Sequence, residues 1–131
     1  MLLVKDNMTK DAFTVPPGED VRVAFSRITD LMIRQAPVVE GGKLLGIVTD
    51  RDLRLAVAET VGGAGLTVAA VMTPEPVTVS PDTTLKDAAR IISRNKFNAL
   101  PVVGPDGALQ GMLTTTDILN GLVKALDHSP K

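Results

Sequence analysis

The sequence lacks the residues on which several classes of protein chemistry depend. Its 131 residues include no Cys, which excludes disulfides, thiolate catalysis and zinc sites built on sulfur. There is no Trp or Tyr and there are three Phe, so the chain has little aromatic surface on which to stack single-stranded nucleic acid. The one His, His128, lies in the polar ending "DHSPK", so we expect no hydrolase active site built on histidine. We therefore predict no catalytic residues and no metal site.

Charge of one sign and long apolar runs are also scarce. The formal net charge is −1, from 14 basic and 15 acidic side chains that are mixed along the chain. This distribution lacks the basic patch that is typical of nucleic-acid binding. The beginning, "MLLVKDNMTK", has neither the basic region nor the long apolar core of a signal peptide, and no apolar run approaches the roughly 20 residues of a membrane span. We expect a cytoplasmic protein that binds neither membrane nor nucleic acid.

The chain does contain an internal repeat, which decides its organisation. At an offset of 64 residues, Met8-Thr9 matches Met72-Thr73, Thr14-Val15 matches Thr78-Val79, Pro17 matches Pro81, and Pro37-Val38-Val39 matches Pro101-Val102-Val103. The offset becomes 65 at the pairs Gly46/Gly111, Thr49/Thr114 and Asp52/Asp117. The second copy therefore carries one extra residue between its Pro-Val-Val and its Gly. That residue falls in a turn: the turns are "EGGK" in the first copy and "GPDG" in the second, and both are rich in residues that tolerate hairpin geometry.

Hydrophobic periodicity gives each copy the order short strand, helix, hairpin, helix. The first helix is predicted from Asp20 to about Arg34, and Asp20 and Thr84 stand where N-caps belong. The first helix has a predicted core stripe of Val21, Ala24, Phe25, Ile28, Leu31 and Met32. The predicted hairpin strands are 36–39 with 44–48 and 99–103 with 109–113, and the closing helices begin near Asp52 and Asp117.

These elements predict an α/β (α+β) fold of two pseudo-symmetric β-α-β-β-α repeats that pack sheet to sheet. We place the first repeat at residues 1–60, a Gly-rich connection at 61–70, the second repeat at 71–127 and a polar tail at 128–131. One copy is too small to bury its own sheet face, so the pair is expected to be the folding unit.

The most informative stretch occurs twice, as "GIVTDRDL" and "GMLTTTDI". In both, an apolar strand ends in a Thr and a helix begins, with an Asp three residues after the Thr. The helix N-terminus and the Thr hydroxyl favour a phosphate, and the Asp carboxylate can accept hydrogen bonds from both hydroxyls of a ribose. The same spacing also describes an ordinary capping box, worth about 1 kcal/mol and requiring no ligand. The local sequence leaves both interpretations open.

In order and in duplicate, these segments resemble the CBS domain, named after cystathionine β-synthase. The resemblance rests on "VKDNMTKDAFTVPPGEDV" and "VAAVMTPEPVTVSPDTTL", on "QAPVV" and "NALPVV", and on the two Thr-x-x-Asp segments. It implies a flat tandem pair that binds adenosine compounds in two clefts. Carried over by position, one cleft would combine Thr49 and Asp52 with Val77, Asn98 and Ala99, and the other would combine Thr114 and Asp117 with Phe13, Gln35 and Ala36.

The resemblance implies a regulatory module and not an enzyme. Its ligand would be an adenine nucleotide (AMP, ADP or ATP) or S-adenosylmethionine, as in energy sensing, with no cofactor required. Because no effector domain is recognised in this sequence, the output is expected to lie in a homo-oligomer or in an unidentified effector protein. The alternative is a structural or oligomerisation module with vacant clefts. Neither the preferred ligand nor the cleft that binds it follows from the sequence.

Surplus apolar residues on two helices predict a homodimer. Val23 and Ile33 lie off the core stripe of the first helix. The closing helix spreads Ile118, Leu119, Leu122, Val123, Ala125 and Leu126 around a wider arc than one core can cover. Surplus apolar surface of this kind usually marks an interface, and the resemblance agrees, since CBS pairs commonly associate through such helices. The alternative is that the surplus packs against the other repeat within one chain.

Overall fold

The computed structural model describes residues 2–61 and 63–127, so His128 and the predicted polar tail lie outside the described residues. In chain order the elements are a 3-10 turn at Val4–Asp6, α1 at Val21–Leu31, β1 at Gln35–Glu40, β2 at Lys43–Thr49, α2 at Asp50–Glu59, α3 at Val68–Val71, β3 at Thr73–Pro74, α4 at Leu85–Asn95, β4 at Ala99–Val103, β5 at Leu109–Thr114 and α5 at Thr115–Asp127. One sheet has the order β1-β2-β3 and the other pairs β4 with β5, all antiparallel. The predicted mixed α/β fold is confirmed.

The predicted N-cap of α1 is correct, but its predicted end is wrong. The Asp20 carboxylate accepts a hydrogen bond from the Arg22 backbone N–H at 2.8 Å, which begins the helix. The helix ends at Leu31 because Met32 adopts a left-handed conformation with φ of 56° and donates its N–H to the carbonyls of Ile28 and Thr29.

This early end also corrects the predicted core. Leu31 is 51% exposed and Met32 is 87% exposed, whereas Val21, Ala24 and Ile28 of the same stripe are buried. Phe25 is only partly buried, against the core. Ile33 lies beyond the left-handed turn, where the chain changes direction, and packs against the same core. The prediction that Ile33 needs a partner elsewhere is therefore wrong.

The two hairpins differ by one residue at their turns, as the change in offset predicts. In the first, Glu40 pairs with Lys43 and the two turn residues, Gly41 and Gly42, have φ of 58° and 81°, a combination that glycine adopts without strain. In the second, Gly104 donates its N–H to the Ala108 carbonyl, and three residues lie between the two. Both hairpins carry a register shift at the same place, after Val38 and after Val102.

The chain forms two compact units whose bounds differ from those of the sequence repeats. One unit is Phe13–Pro76, and the other combines Met1–Ala12 with Val77–Lys131. The difference arises because the segment that opens each repeat pairs outside its own repeat: Thr9 bridges to Met112, and Thr73 pairs with Ile47. The predicted bounds of the two repeats, 1–60 and 71–127, describe which parts of the sequence are similar, and they remain a prediction.

Two glycines allow these opening segments to approach the hairpins. A Cβ atom on Gly46 would lie 2.6 Å from the Thr73 carbonyl oxygen, and a Cβ atom on Gly111 would lie 2.6 Å from the Thr9 carbonyl oxygen. Both distances are too short for any residue with a side chain. The same close approach therefore organises both units.

Each unit has its own apolar core. In Phe13–Pro76 the core includes Val21, Ile28, Val48 and Leu53, and in the other unit it includes Val4, Leu100, Val102 and Leu113. None of the described helices is long and apolar enough to cross a membrane.

Candidate functional site

The first Thr-x-x-Asp segment lies where β2 becomes α2, and we call it the Thr49 junction (Thr49 to Asp52). Thr49 has an extended backbone, and its Oγ1 accepts a hydrogen bond from the Asp52 backbone N–H at 3.0 Å. The Asp50 N–H donates to the Arg34 carbonyl at 2.8 Å, so the helix start is tied to the beginning of the hairpin. The Thr is therefore an N-cap, as the capping interpretation predicts.

The Asp52 carboxylate at this junction accepts no hydrogen bond and forms no ion pair within residues 2–61 and 63–127. Its residue is neither fully buried nor fully exposed. Both carboxylate oxygens are therefore available to donors on a ligand.

The second segment lies where β5 becomes α5, and we call it the Thr114 junction (Thr114 to Asp117). Thr114 Oγ1 accepts from the Asp117 N–H at 3.1 Å, and the Asp117 Oδ2 atom accepts from the Thr114 N–H at 2.9 Å. These reciprocal bonds form a complete capping box. In addition, the Thr9 hydroxyl lies 3.2 Å from Oδ1 and 3.1 Å from Oδ2 of Asp117. This carboxylate is already engaged.

A groove with positive charge adjoins the Thr49 junction in the Phe13–Pro76 unit. Its volume is about 370 Å³, and it is lined by Phe25, Ile28, Thr29, Met32, Ile33, Arg34, Asp50 and Arg54. Arg34 and Arg54 form no ion pair among the described residues, so their guanidinium groups can attract an anion such as a phosphate.

The predicted site residues divide between the two compact units. Phe13–Pro76 holds Thr49, Asp52, Phe13, Gln35 and Ala36, and the other unit holds Val77, Asn98, Ala99, Thr114 and Asp117. Within the units, Gln35 pairs with Thr49 and Ala99 pairs with Thr114 across their hairpins. Each predicted cleft takes residues from both units, and that grouping remains a prediction.

The surroundings of the remaining predicted residues limit what they can offer a ligand. Ala36 and Ala99 are buried, so their backbone and not their side chains would contact a ligand. The Arg27 guanidinium carbon lies 4.9 Å from the centroid of the Phe13 ring, a cation–π distance. Val77 and Asn98 are exposed, and the Asn98 carbonyl accepts from the Thr115 hydroxyl at 3.1 Å.

Thr9 and Arg27 contact predicted site residues but were not themselves predicted. The match of Met8-Thr9 with Met72-Thr73 contained a signal for Thr9, since it indicated that this segment has a fixed place in the repeat. Arg27 gave no comparable signal. Among residues 2–61 and 63–127, no three His, Asp or Glu side chains come together as a metal site would require.

The repeat and the folded junctions agree with a known family. The family model of the CBS domain matches twice, at residues 4–59 and 68–124. The chain belongs to the CBS domain family. Because the two matches are consecutive and cover most of the chain, it is a tandem CBS pair. The resemblance inferred from the quoted motifs is confirmed.

Curated relatives place such pairs in different contexts. The chain is 34% identical to a CBS domain-containing protein of Dictyostelium discoideum, over 98% of this chain and 97% of that protein. It is 38% identical to an inosine-5'-monophosphate dehydrogenase of Korarchaeum cryptofilum over 83% of this chain, but it spans only 22% of the length of that enzyme. The similarity to the dehydrogenase therefore concerns a part of that enzyme.

Solved structures of CBS pairs match the fold closely. The structure of CBSX2 from Arabidopsis thaliana is 31% identical and matches with a TM-score of 0.89 over 98% of this chain and 99% of that chain. A structure of CBSX2 in complex with AMP matches with a TM-score of 0.85, at 31% identity over 96% of this chain and 99% of that chain. The CBS domain pair of protein MJ0100, in complex with 5'-methylthioadenosine and S-adenosyl-L-methionine, is 26% identical, with a TM-score of 0.81 over 95% of this chain and 98% of that chain.

Proposed function

We propose that this CBS pair is a regulatory module that binds an adenosine-containing ligand and transmits its occupancy to an effector protein. The observation that carries the proposal is the open carboxylate of Asp52, a residue whose backbone N–H donates to the capping hydroxyl of Thr49 at the N-terminus of α2. This junction presents acceptors for a ribose next to the positive end of a helix. It thus has the chemistry needed to hold a ribose and a phosphate together.

The ribose would be held by charge-assisted hydrogen bonds. Its two hydroxyl groups are donors, and an ionised carboxylate with two free oxygens can accept both, which makes this bond stronger than a neutral one. A phosphate would be attracted by the N-terminus of α2 and by the arginines of the adjoining groove, Arg34 and Arg54. Asp50 and Asp52 add negative charge in the same helical turn. That charge favours ligands with few phosphates over ligands with many.

The relatives support adenosine as the recognised group. AMP, 5'-methylthioadenosine and S-adenosyl-L-methionine are the compounds bound to CBSX2 and to the MJ0100 pair, and all three contain adenosine. They differ in the substituent at the 5' position. We therefore propose adenosine as the group that is recognised in common. Contacts with the 5' substituent would decide among AMP, ADP, ATP and S-adenosylmethionine.

A non-enzymatic role is part of the proposal. Regulation would arise if the ligand binds one conformation of the pair more tightly than another, because differential affinity is what shifts a conformational equilibrium. The output would then lie in an effector protein, and we propose a cytoplasmic location for both. The second candidate, a structural module with vacant clefts, is favoured by the capping box that occupies Asp117.

Calorimetric titration with AMP tests the ligand-binding function. Replacing Asp52 by Ala removes the ribose acceptor, and we expect binding to weaken by roughly 1.5–3 kcal/mol, the range for a hydrogen bond to a charged group. Asp30→Ala on α1 is the matched control, since it removes the same charge from an exposed position in the same compact unit. Equal affinity in the wild type and Asp52→Ala would contradict the role of Asp52 as the ribose acceptor. No binding of any adenosine compound at millimolar concentration would favour the vacant structural module.

We also propose that the pair is a homodimer formed through α5. Leu119, Leu122, Val123 and Leu126 on this helix are each at least half exposed. An apolar strip of this size on one helix is costly to leave in water, and a second copy of the chain offers an identical strip to cover it. Val23 on α1 is also exposed, whereas Ile33 contributes nothing because it packs against its own core.

Light scattering at micromolar concentration measures this association. We expect about twice the chain mass of 13.8 kDa, and Leu122→Asp should return the mass to that of one chain. Val61→Asp introduces the same charge at an apolar residue that is 94% exposed and outside α5, and it should leave the dimer intact. A wild-type mass of one chain would refute the dimer.

A further inference from the structure

We infer that Thr9 limits the module to one adenosine ligand per chain by closing the Thr114 junction. The inference rests on the proposed function, since it concerns which of the two junctions takes the ribose. Thr9 would thus be a specificity-determining residue that contacts no ligand. Its effect is exerted through the Asp117 carboxylate.

The closure is built from several hydrogen bonds to one carboxylate. The Thr9 hydroxyl lies within 3.2 Å of both Asp117 oxygens, and the Thr114 N–H donates to Oδ2 at 2.9 Å. A ribose diol would have to place its two hydroxyls on the same two oxygens. It therefore competes with the Thr9 hydroxyl for the acceptors that it needs.

The chain contains its own control for this arrangement. Thr73 is the repeat equivalent of Thr9, and the two residues have equivalent strand partners, Ile47 and Met112. Thr73 nevertheless makes no hydrogen bond to Asp52 among the described residues. The same motif in the same register thus leaves one carboxylate open and engages the other.

The two junctions also differ at the residue that follows the capping Thr. The Thr115 hydroxyl donates to the Asn98 carbonyl at 3.1 Å, in addition to the Thr115 N–H bond to the same oxygen at 3.0 Å. The Thr49 junction has Asp50 at the equivalent position, and there only the backbone N–H bonds to the Arg34 carbonyl. Losing a hydrogen bond to a charged group weakens binding by roughly 10-fold to 100-fold, which is enough to leave the Thr114 junction empty when the Thr49 junction is filled.

Stoichiometry measured by calorimetry tests the role of Thr9. Adenosine is the main probe because it has no phosphate, so the differing charges beside the two junctions have little effect on the result, and AMP is titrated in parallel. The wild type should bind one ligand, and Asp52→Ala should bind at least 10-fold more weakly, with no second site. Thr9→Val removes the hydroxyl but keeps the branched shape and the backbone pairing with Met112, and it should bind two.

Three further variants make the result specific. Thr73→Val is the matched control and should still bind one ligand, and Thr9→Ser retains a hydroxyl and should also bind one. The double variant Thr9→Val, Asp117→Ala should lose the second site again. Two sites in the wild type, or a single site in a folded Thr9→Val protein at millimolar adenosine, would overturn the role of Thr9 while leaving the proposed function intact. Absence of any binding would overturn both.

Discussion

The Thr49 and Thr114 junctions can be compared step by step, because each consists of the same strand end, the same cap and the same helix start. In both, the Thr hydroxyl accepts from the N–H of the Asp three residues later, at 3.0 and 3.1 Å. In both, the strand is paired with its hairpin partner in the same register. They differ at the carboxylate, which is open at Asp52 and engaged at Asp117.

The difference lies in side chains that the repeat cannot specify. Asp117 turns back to its own Thr114 N–H and also meets Thr9, whereas Asp52 does neither. The internal repeat therefore determines the backbone of the two junctions more firmly than the contacts of their side chains. Two equivalent backbones can hold one carboxylate whose oxygens are free and one whose oxygens are engaged.

The largest effect that we expect would test whether the two backbones are equivalent. Gly46→Ala and Gly111→Ala each place a Cβ atom 2.6 Å from a carbonyl oxygen of an opening segment, so the segment must move. Overpacking of this kind costs about 1–3 kcal/mol, and we expect similar losses of unfolding free energy in both variants. Urea unfolding followed by circular dichroism gives both values.

Gly18→Ala is the control for these variants, since no atom lies within 4 Å of the Cβ that it would add. Its unfolding free energy should stay close to that of the wild type. If only one of the two hairpin glycines proved costly, the opening segments would not be packed alike. The backbones of the Thr49 and Thr114 junctions would then not be equivalent.

Most of the fold was predictable because its signals are local. Asp20 and Thr84 were predicted as N-caps, and both accept hydrogen bonds from the first turn of their helices. The hairpin strands are also correct to within one residue at each end. The end of α1 was not predictable from apolar spacing. Leu31 and Met32 continue the stripe in sequence, but the left-handed turn at Met32 takes them out of it.

The candidate site was predictable only in part. The two Thr caps follow from the motif, but the engagement of Asp117 depends on Thr9, which is 108 residues away in sequence. The match between Met8-Thr9 and Met72-Thr73 indicated equivalent places for both segments and therefore equivalent contacts. A side-chain hydrogen bond that forms in only one of two such places has no local sequence signal.

The helices that follow the opening segments provide a second comparison of the same kind. α1 is capped by a carboxylate, Asp20, whereas α4 is capped by the hydroxyl of Thr84, which accepts from the Asp87 N–H at 3.1 Å. The side chain of Arg22 also donates to Asp20, at 3.0 Å from Nε and 2.7 Å from its terminal nitrogen. A carboxylate titrates and a hydroxyl does not, so acid should separate the two caps.

The smallest effect that we expect is this loss of one cap in acid. Hydrogen bonds from the Arg22 side chain and then from its backbone N–H lower the pKa of Asp20 from the ordinary value of 3.8 to about 2. Since the folded pKa lies below the unfolded one, the contribution of Asp20 to stability is fully present above pH 3.8 and is lost as the pH falls through about 2.

An NMR titration of the Asp20 carboxyl group should therefore have a midpoint near 2, and Arg22→Ala should raise that midpoint toward 3.8. The effect on unfolding is expected to be small because the pair is exposed to solvent. A wild-type midpoint at the ordinary value would mean that Arg22 does not hold the carboxylate in solution. Acid would then not weaken the cap of α1 relative to that of α4.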